Sequence, residues 1–321
     1  MRYRTFGRTG WKVSEIGYGM WGMAGWSGSD DEESLKSLQL AVDLGVNFFD
    51  TAWAYGDGHS ERLLGQVLRA NPDKTLYSAT KVPPKNRQWP AQRGDKLADV
   101  FPPEYIRDYA ERSVKNIGRV DLLQFHVWED AWGNDDRWQR AVADLRREGL
   151  ARAIGVSINR WEPANAIETL HTGIIDAVQV IYNIFDQAPE GELFPVCREL
   201  DIGVIARVPF DEGSLTGTLT KDSRWLKGDF RNTYFVKENL EPTLERVEAL
   251  RPLVPKGMSL PELALRFILA SPDVDVVIPG MRKPSNVRVN VATSDAPPLP
   301  DELLAVLRKH RWDRLPAPWS G

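Results

Sequence analysis

A carboxylate, a phenol, an ammonium and an imidazole stand at or just past the ends of three apolar runs in the first half of the chain. Asp50 closes Val46-Asn47-Phe48-Phe49, and Tyr55 follows five residues later in Thr51-Ala52-Trp53-Ala54-Tyr55-Gly56. Lys81 closes Leu76-Tyr77-Ser78-Ala79-Thr80, and His126 closes Val120-Asp121-Leu122-Leu123-Gln124-Phe125. A polar group in mid-strand needs a buried partner, whereas one at a strand end reaches a rim from a rigid base. Tyrosine is a weak acid, with a reference pKa of about 10, and a neighbouring ammonium stabilises its phenolate. The set therefore predicts Tyr55 as a proton donor whose pKa Lys81 lowers. Asp50 would hold Lys81 charged, and His126 would offer a neutral N–H to a carbonyl oxygen. These parts protonate a carbonyl oxygen while a cofactor supplies the other reactant, as in hydride transfer.

Other chemistries use the same residue types. Asp50 and Lys81 can form a purely structural ion pair, and Lys81 can serve as a Schiff-base nucleophile in an aldolase or a pyridoxal-phosphate enzyme. The four histidines, at 59, 126, 171 and 310, show no H-x-H or H-E-x-x-H spacing, so no metal site is expected.

For the four groups to meet, the runs that carry them must be neighbouring parallel strands. The chain opens with a short hairpin, residues 2–6 turning at Gly7-Arg8-Thr9-Gly10 into 12–14. A strand at 15–19 follows, then a Gly/Trp-rich loop from Met20 to Gly28, then a helix capped by Ser29 or Asp30, running to Leu44 and ended by Gly45. The unit repeats as strand 46–50 with helix 60–70 (Ser60 as cap), strand 75–81 with helix 103–117, and strand 120–126 with helix 135–148. It continues as strand 151–157 with helix 161–170, strand 175–180 with helix 192–200, and strand 202–208. A long insertion from 209 to 258 then precedes helix 260–270, strand 275–279 and helix 284–292. Near-continuous apolar strands suit a parallel sheet covered on its outside by helices, and eight such units predict a (β/α)₈ TIM barrel. No G-x-G-x-x-G stands at the first βα turn, which argues against an open doubly wound sheet.

The 321 residues (36.3 kDa) can bury a large core, and no composition break marks a linker, so a single domain over 1–321 is expected. A net charge of −4 with dispersed Lys and Arg gives no pull toward nucleic acid. No apolar stretch approaches a membrane span and no signal h-region is present, so no membrane partner and a cytoplasmic location are expected. A lone cysteine, Cys197, fits a reducing compartment and reads as a small buried helix residue. Oligomeric state is not legible.

Across more than 200 residues the chain resembles the aldo-keto reductases. The resemblance is carried by Asp50-Thr51-Ala52…Tyr55-Gly56, Glu61, Leu64-Gly65, Lys81, Asp121-Leu122…His126, Gly155-Val156-Ser157, Gln179…Tyr182-Asn183, Gly213-Ser214-Leu215-Thr216-Gly217 and Ile278-Pro279-Gly280. It implies NADPH lying across the C-terminal rim, with NADH less favoured, a small carbonyl substrate, and Asp50, Tyr55, Lys81 and His126 as the catalytic set. By the same resemblance Ser157 and Gln179 meet the nicotinamide carboxamide, with Met20 and Trp21 nearby. Ile158 replaces a common Asn, and Asn159 stands one step later. Arg207 occupies a position where many members stack an aromatic ring, and a planar guanidinium can also stack. Val208, Pro209, Phe210, Glu212, Gly213, Leu215, Thr216 and Gly217 match the loop along the pyrophosphate. Gly280, Met281, Arg282, Asn286 and Asn290 match the adenosine-phosphate segment, where Arg282 and Lys283 would grip a 2′-phosphate or simply start a solvated helix. Asn286 and Val289 depart from the usual residues there.

Trp21, Trp26, Trp53 and Trp128 fall on expected rim loops or strand ends and suggest an aromatic-walled substrate pocket. An intact set of Asp50, Tyr55, Lys81 and His126 is also compatible with a non-catalytic barrel that binds NADPH as a sensor and docks onto a partner.

Overall fold

In the computed structural model, which describes residues 1–25 and 28–320, the chain begins with an antiparallel hairpin, β1 (Tyr3–Phe6) and β2 (Trp11–Ser14). Eight parallel strands follow: β3 (Tyr18–Gly19), β4 (Phe48–Asp50), β5 (Tyr77–Val82), β6 (Leu122–Phe125), β7 (Ala153–Ser157), β8 (Ala177–Ile181), β9 (Gly203–Arg207) and β10 (Val276–Val277). Each pairs with its predecessor, and bridges Ile16–Val277 and Gly19–Gly280 bring the last strand back beside the first. The result is a nearly closed (β/α)₈ barrel, as the strand-helix alternation predicts. The seam is tight. A Cβ on Gly19 would lie 2.6 Å from the Ile278 carbonyl oxygen, so only glycine fits there.

The hairpin closes the N-terminal mouth. Phe6, Trp11 and Val13 pack with Phe48, Tyr77, Leu122, Ala153 and Ala177 inside the strand ring, Trp11 stacking on Tyr77 at 4.9 Å between centroids. The opposite, C-terminal mouth is the one that carries the ionisable strand ends.

The helices are α1 (Asp31–Asp43), α2 (His59–Ala70), α3 (Leu97–Val100), α4 (Pro103–Ile117), α5 (Asp136–Arg147), α6 (Ile167–His171), α7 (Leu193–Glu199), α8 (Arg231–Tyr234), α9 (Lys237–Leu250), α10 (Leu260–Leu269), α11 (Pro284–Ala292) and α12 (Asp301–Arg308). Asp30 caps α1 by accepting from Glu33 N at 2.8 Å. Most expected bounds shift by one or two residues, and several differences have identifiable causes. Ser60 does not cap α2. Gly58 precedes that helix in a left-handed conformation, and the Ser60 hydroxyl instead accepts from Thr51 Oγ1 at 2.7 Å. The helix expected at 161–170 shrinks to α6, because Trp161 is left-handed (φ 59°) and Pro163 follows. Asp130, 38 residues away from Glu168, supplies the cap by accepting from Glu168 N and Thr169 N at 2.9 and 2.8 Å. The insertion after β9 holds α8 and α9, and the chain beyond α11 holds α12, elements the strand-helix pattern did not include.

Candidate active site

Asp50 ends β4 and Lys81 is the penultimate residue of the neighbouring β5, so both side chains rise to the C-terminal mouth. Lys81 Nζ donates to Asp50 Oδ1 at 2.6 Å and to Thr51 O at 2.8 Å. Asp50 Oδ2 accepts from Gln179 Nε2 at 2.8 Å and Gln124 Nε2 at 3.1 Å. Asp50 and Lys81 are 2% and 1% exposed, and a buried ion pair persists only when its remaining hydrogen-bonding capacity is met in this way. Burial draws the Lys81 ammonium below its usual range while Asp50 pulls it back up. An amine held charged by a carboxylate is a poor Schiff-base nucleophile, so the geometry disfavours that alternative.

Tyr55 sits in the turn between β4 and α2, tied by Tyr55 N to Ala52 O (3.0 Å) and Ser60 N to Tyr55 O (3.2 Å). Its ring lies 5.3 Å from Lys81 Nζ and 5.7 Å from the His126 ring, edge to face. His126, one residue past β6, is anchored by its backbone N–H to Val82 O at 3.1 Å, and its Nδ1 is buried without a partner. The four expected residues therefore come together.

Their electrostatics differ from the sequence expectation in one respect. The Tyr55 phenol is pushed well above its ordinary range, first by burial and then by Asp50, with Arg207 opposing. Desolvation outweighs any ammonium effect because it acts on the whole phenolate. His126 is driven far below the usual imidazole range by burial, then by Lys81 and Arg207, so it is neutral at physiological pH.

Arg207 ends β9, its Nη2 donating to Ile158 O at 3.0 Å and its Nε buried without a partner. Burial, then the nearby Arg160, push its pKa down to about 10. Arg160 pairs with Glu212 at 2.9 Å. Neither Arg160 nor Trp89 was singled out from the sequence, yet Trp89 packs edge-on to His126 at 4.5 Å and is 40% exposed. Arg160 stands just past β7, a strand-end position that could have marked it, whereas Trp89 lies well beyond β5 on a loop whose course the local pattern does not specify.

The remaining expected ligand residues divide. Ser157 and Gln179 are in register on β7 and β8. The Gln179 amide nitrogen is committed to Asp50, so its carbonyl oxygen is the atom left to meet a ligand. Asn159 Nδ2 faces Ala91 O and Glu129 Oε1, both at 3.3 Å. The loop Val208 to Gly217 carries left-handed backbone at Val208, Asp211, Glu212, Gly213 and Gly217. Arg282 lies beside Gly22, its Cδ 3.7 Å from where a Cβ on Gly22 would stand, which joins the Met20–Gly22 loop to the segment opening α11. Gly280 has nothing within 4 Å of where a Cβ would stand. Asn290 is buried and Asn286 exposed on α11.

Met20, Met281 and Leu215 are wholly buried and belong to the main core, so they present no side-chain surface at the mouth. Trp128, expected on the pocket wall, is instead a core residue. It is fully buried against Phe125, Trp132 and Trp138, and its Nε1 donates to Thr169 Oγ1 at 2.9 Å. Trp21 and Trp53 stay partly exposed, packed edge-on to Phe230 (5.6 Å) and Tyr109 (4.8 Å). Trp26 lies outside the described residues.

The mouth thus offers a neutral imidazole, a phenol beside an ammonium, an under-partnered guanidinium and a glycine-containing loop with left-handed backbone. The two buried unpartnered nitrogens, His126 Nδ1 and Arg207 Nε, together with that loop, fit a polar ring with attached phosphates. Among the described residues no group of three or more His, Cys, Asp or Glu side chains is arranged to hold a metal, and no helix is long and apolar enough to cross a membrane.

Comparison with known proteins agrees with this picture. The family described as "Aldo/keto reductase family" matches residues 15–311. The "NADH-specific methylglyoxal reductase" of Escherichia coli is 31% identical over 308 residues, covering 91% of this chain and 93% of that protein. Among solved structures, the holo form of the aldo-keto reductase AKR11C1 from Bacillus halodurans superposes with a TM-score of 0.79 at 25% identity over the full length of both chains. The glycerol dehydrogenase AKR11B4 from Gluconobacter oxydans gives 0.76 at 28% identity, covering 94% of this chain and 92% of that one.

Proposed function

This chain belongs to the aldo/keto reductase family and is an NAD(P)H-dependent oxidoreductase, and from that premise we propose that it reduces a small aldehyde or ketone with NADPH, Tyr55 supplying the proton. The observation that carries the reading is the placement of the Tyr55 ring between the Lys81 ammonium, 5.3 Å away, and the neutral His126 ring, 5.7 Å away. A bound reduced nicotinamide supplies the hydride. The chain's own residues do the rest. His126 orients the carbonyl oxygen by hydrogen bonding, and Tyr55 protonates that oxygen as negative charge develops on it. An alkoxide is a far stronger base than a phenolate, so the transfer runs downhill even from a phenol that burial has weakened as an acid. Lys81 and Arg207 stabilise the phenolate left behind, and Asp50 keeps Lys81 in place.

Ser157 and the Gln179 carbonyl would hold the carboxamide, residues 208–217 the pyrophosphate, and Arg282, Lys283 and the start of α11 the adenosine end. NADPH is favoured by two basic residues at a helix N-terminus, which suit a 2′-phosphate. The NADH specificity of the Escherichia coli relative makes NADH the direct comparison. Methylglyoxal and the ketone related to glycerol, suggested by the names of two relatives, head the substrate panel. A lone buried cysteine is consistent with work in the cytoplasm.

Titration with NADPH and NADH, followed by tryptophan fluorescence, tests the reading first, and turnover over a carbonyl panel tests it second. Quenching by NADPH at micromolar concentration with reduction of at least one small carbonyl is expected. No response to either dinucleotide at high micromolar concentration overturns it.

A further inference from the structure

The loop leaving β9 is held in an uncommon shape. Val208, Asp211 and Glu212 have φ of 55°, 45° and 57°, and Gly213 follows at 109°. Glycine takes this region freely, but a Cβ crowds the carbonyl there, most of all in a β-branched valine. With Trp161 (φ 59°), four of the seven left-handed non-glycine residues among those described gather in this one corner. Such backbone persists only where its surroundings over-determine it.

Three side chains do so, each from a different segment. Asn183, just past β8, donates from Nδ2 to Val208 O at 3.0 Å. Arg160, just past β7, pairs with Glu212 at 2.9 Å. The third is Arg314, from the tail beyond α12, whose Nη2 donates to Asp211 Oδ1 at 2.7 Å. The first two belong to the barrel itself, whereas Arg314 arrives from 103 residues further along the chain.

Arg314 is built in. It is 7% exposed, donates also to Asp186, and reaches the Tyr234 hydroxyl of α8 at 3.0 Å. Its guanidinium lies over Trp161 and Trp312, 4.9 and 4.7 Å from their ring centroids. Further along the tail, Trp319 packs on Trp161 and Tyr234 at 5.5 Å each. A planar guanidinium can serve two carboxylates and a phenol at once, which a lysine in that position could not match. Asp211 in turn accepts from Ser214 Oγ at 2.7 Å, so the grip on its carboxylate extends into the second half of the loop.

We propose that Arg314 is a positioning residue for the cofactor: from the C-terminal tail it holds Asp211, and through it the left-handed loop 208–213, in the shape that receives the dinucleotide. The inference rests on the reading of that loop as the pyrophosphate seat. Released from Arg314, the loop relaxes toward ordinary backbone angles. Binding then has to rebuild the receptive shape, and apparent affinity falls by the fraction of molecules that still hold it. Arg314 touches no reacting atom, so the hydride step at saturating cofactor is left alone.

The test is a fluorescence titration of NADPH and NADH against wild type, Arg314→Met and Asp211→Asn, with single-turnover reduction at saturating cofactor. Arg314→Met is expected to raise both dissociation constants at least tenfold while the single-turnover rate stays within about threefold. A merely structural role lowers the folded fraction, which shrinks the titration amplitude and leaves the dissociation constant of the folded molecules where it was. Asp211→Asn strips the charge from the same contact from the other side without emptying the buried cluster, and decides the matter if Arg314→Met does not fold. The double variant should be no worse than the weaker single one, as for two ends of one contact. Wild-type dissociation constants in whichever of these variants folds overturn the inference alone. Failure of the wild-type chain to bind either dinucleotide overturns the reading of the loop, and the inference with it.

Discussion

Replacing Tyr55 by Phe removes one hydroxyl and keeps the ring against His126. Loss of a positioned general acid should slow single-turnover reduction roughly 10²–10⁴-fold with cofactor affinity almost unchanged. A rate near wild type for every active carbonyl would remove Tyr55 from the mechanism. Lys81→Met should slow the same step and also destabilise the fold by about 3–5 kcal/mol, because it leaves the Asp50 carboxylate buried without its cation. Denaturant melts of the two variants separate these effects, since Tyr55→Phe breaks no ion pair. His126 is neutral far below its ordinary range, so the single-turnover rate should show no inflection near pH 6.5. At the other end of the site, Arg282→Ala should weaken NADPH about ten- to hundredfold, the equivalent of roughly 1.5–3 kcal/mol for a charge-assisted hydrogen bond, and NADH far less. Equal weakening of both would show that Arg282 does not read the 2′-phosphate.

Strands and their seams set where those residues stand. Asp50 and Lys81 occupy the last and penultimate positions of β4 and β5, which is why apolar runs ending in polar residues located them, whereas Ser157 and Arg207, at the ends of β7 and β9, were reached only through the family resemblance. Gly19 is paired with Asp50 across β3 and β4, and its face toward β10 has no room for a side chain. Gly19→Ala should cost about 1–3 kcal/mol, as forced overpacking does, read as a lowered denaturation midpoint. An unchanged midpoint would mean the seam yields more easily than its backbone contact implies. Loops obeyed different rules. Trp128 was assigned to the pocket because it follows a strand end, yet the chain turns there and sends the indole outward, between barrel and helices, to Trp138 and Thr169. The first turn of α6 is capped by Asp130 from another loop, a contact no local pattern announces.

At the scale of the whole molecule, Asp275 offers a test of the barrel as one cooperative unit. It lies at the closed, N-terminal mouth just before β10, where its carboxylate accepts from Val204 N at 2.9 Å. Burial, the largest influence, pushes its pKa up to about 7 from an ordinary 3.8. Between those values the folded chain keeps a proton that the unfolded chain has released. Its contribution therefore favours folding at low pH and is lost as pH rises through about 7. Asp275→Asn should accordingly gain stability relative to wild type, its unfolding free energy rising against the wild-type value, from about pH 4 to pH 8. A difference that is flat with pH would refute the assignment. Sequence alone determined the alternation of strands and helices, hence the barrel, and the four residues at its mouth. Hydrophobic periodicity and strand-end position are local properties, and a parallel barrel converts them directly into one shared rim. Only the tertiary structure decided that Trp128 is core, that Trp89 and Arg160 flank the site, that burial rather than Lys81 governs the Tyr55 phenol, and that Arg314 reaches Asp211 from the far end of the chain. Each of these depends on which distant groups share a low-dielectric interior, and neither desolvation nor a contact across a hundred residues leaves a mark on neighbouring positions in sequence.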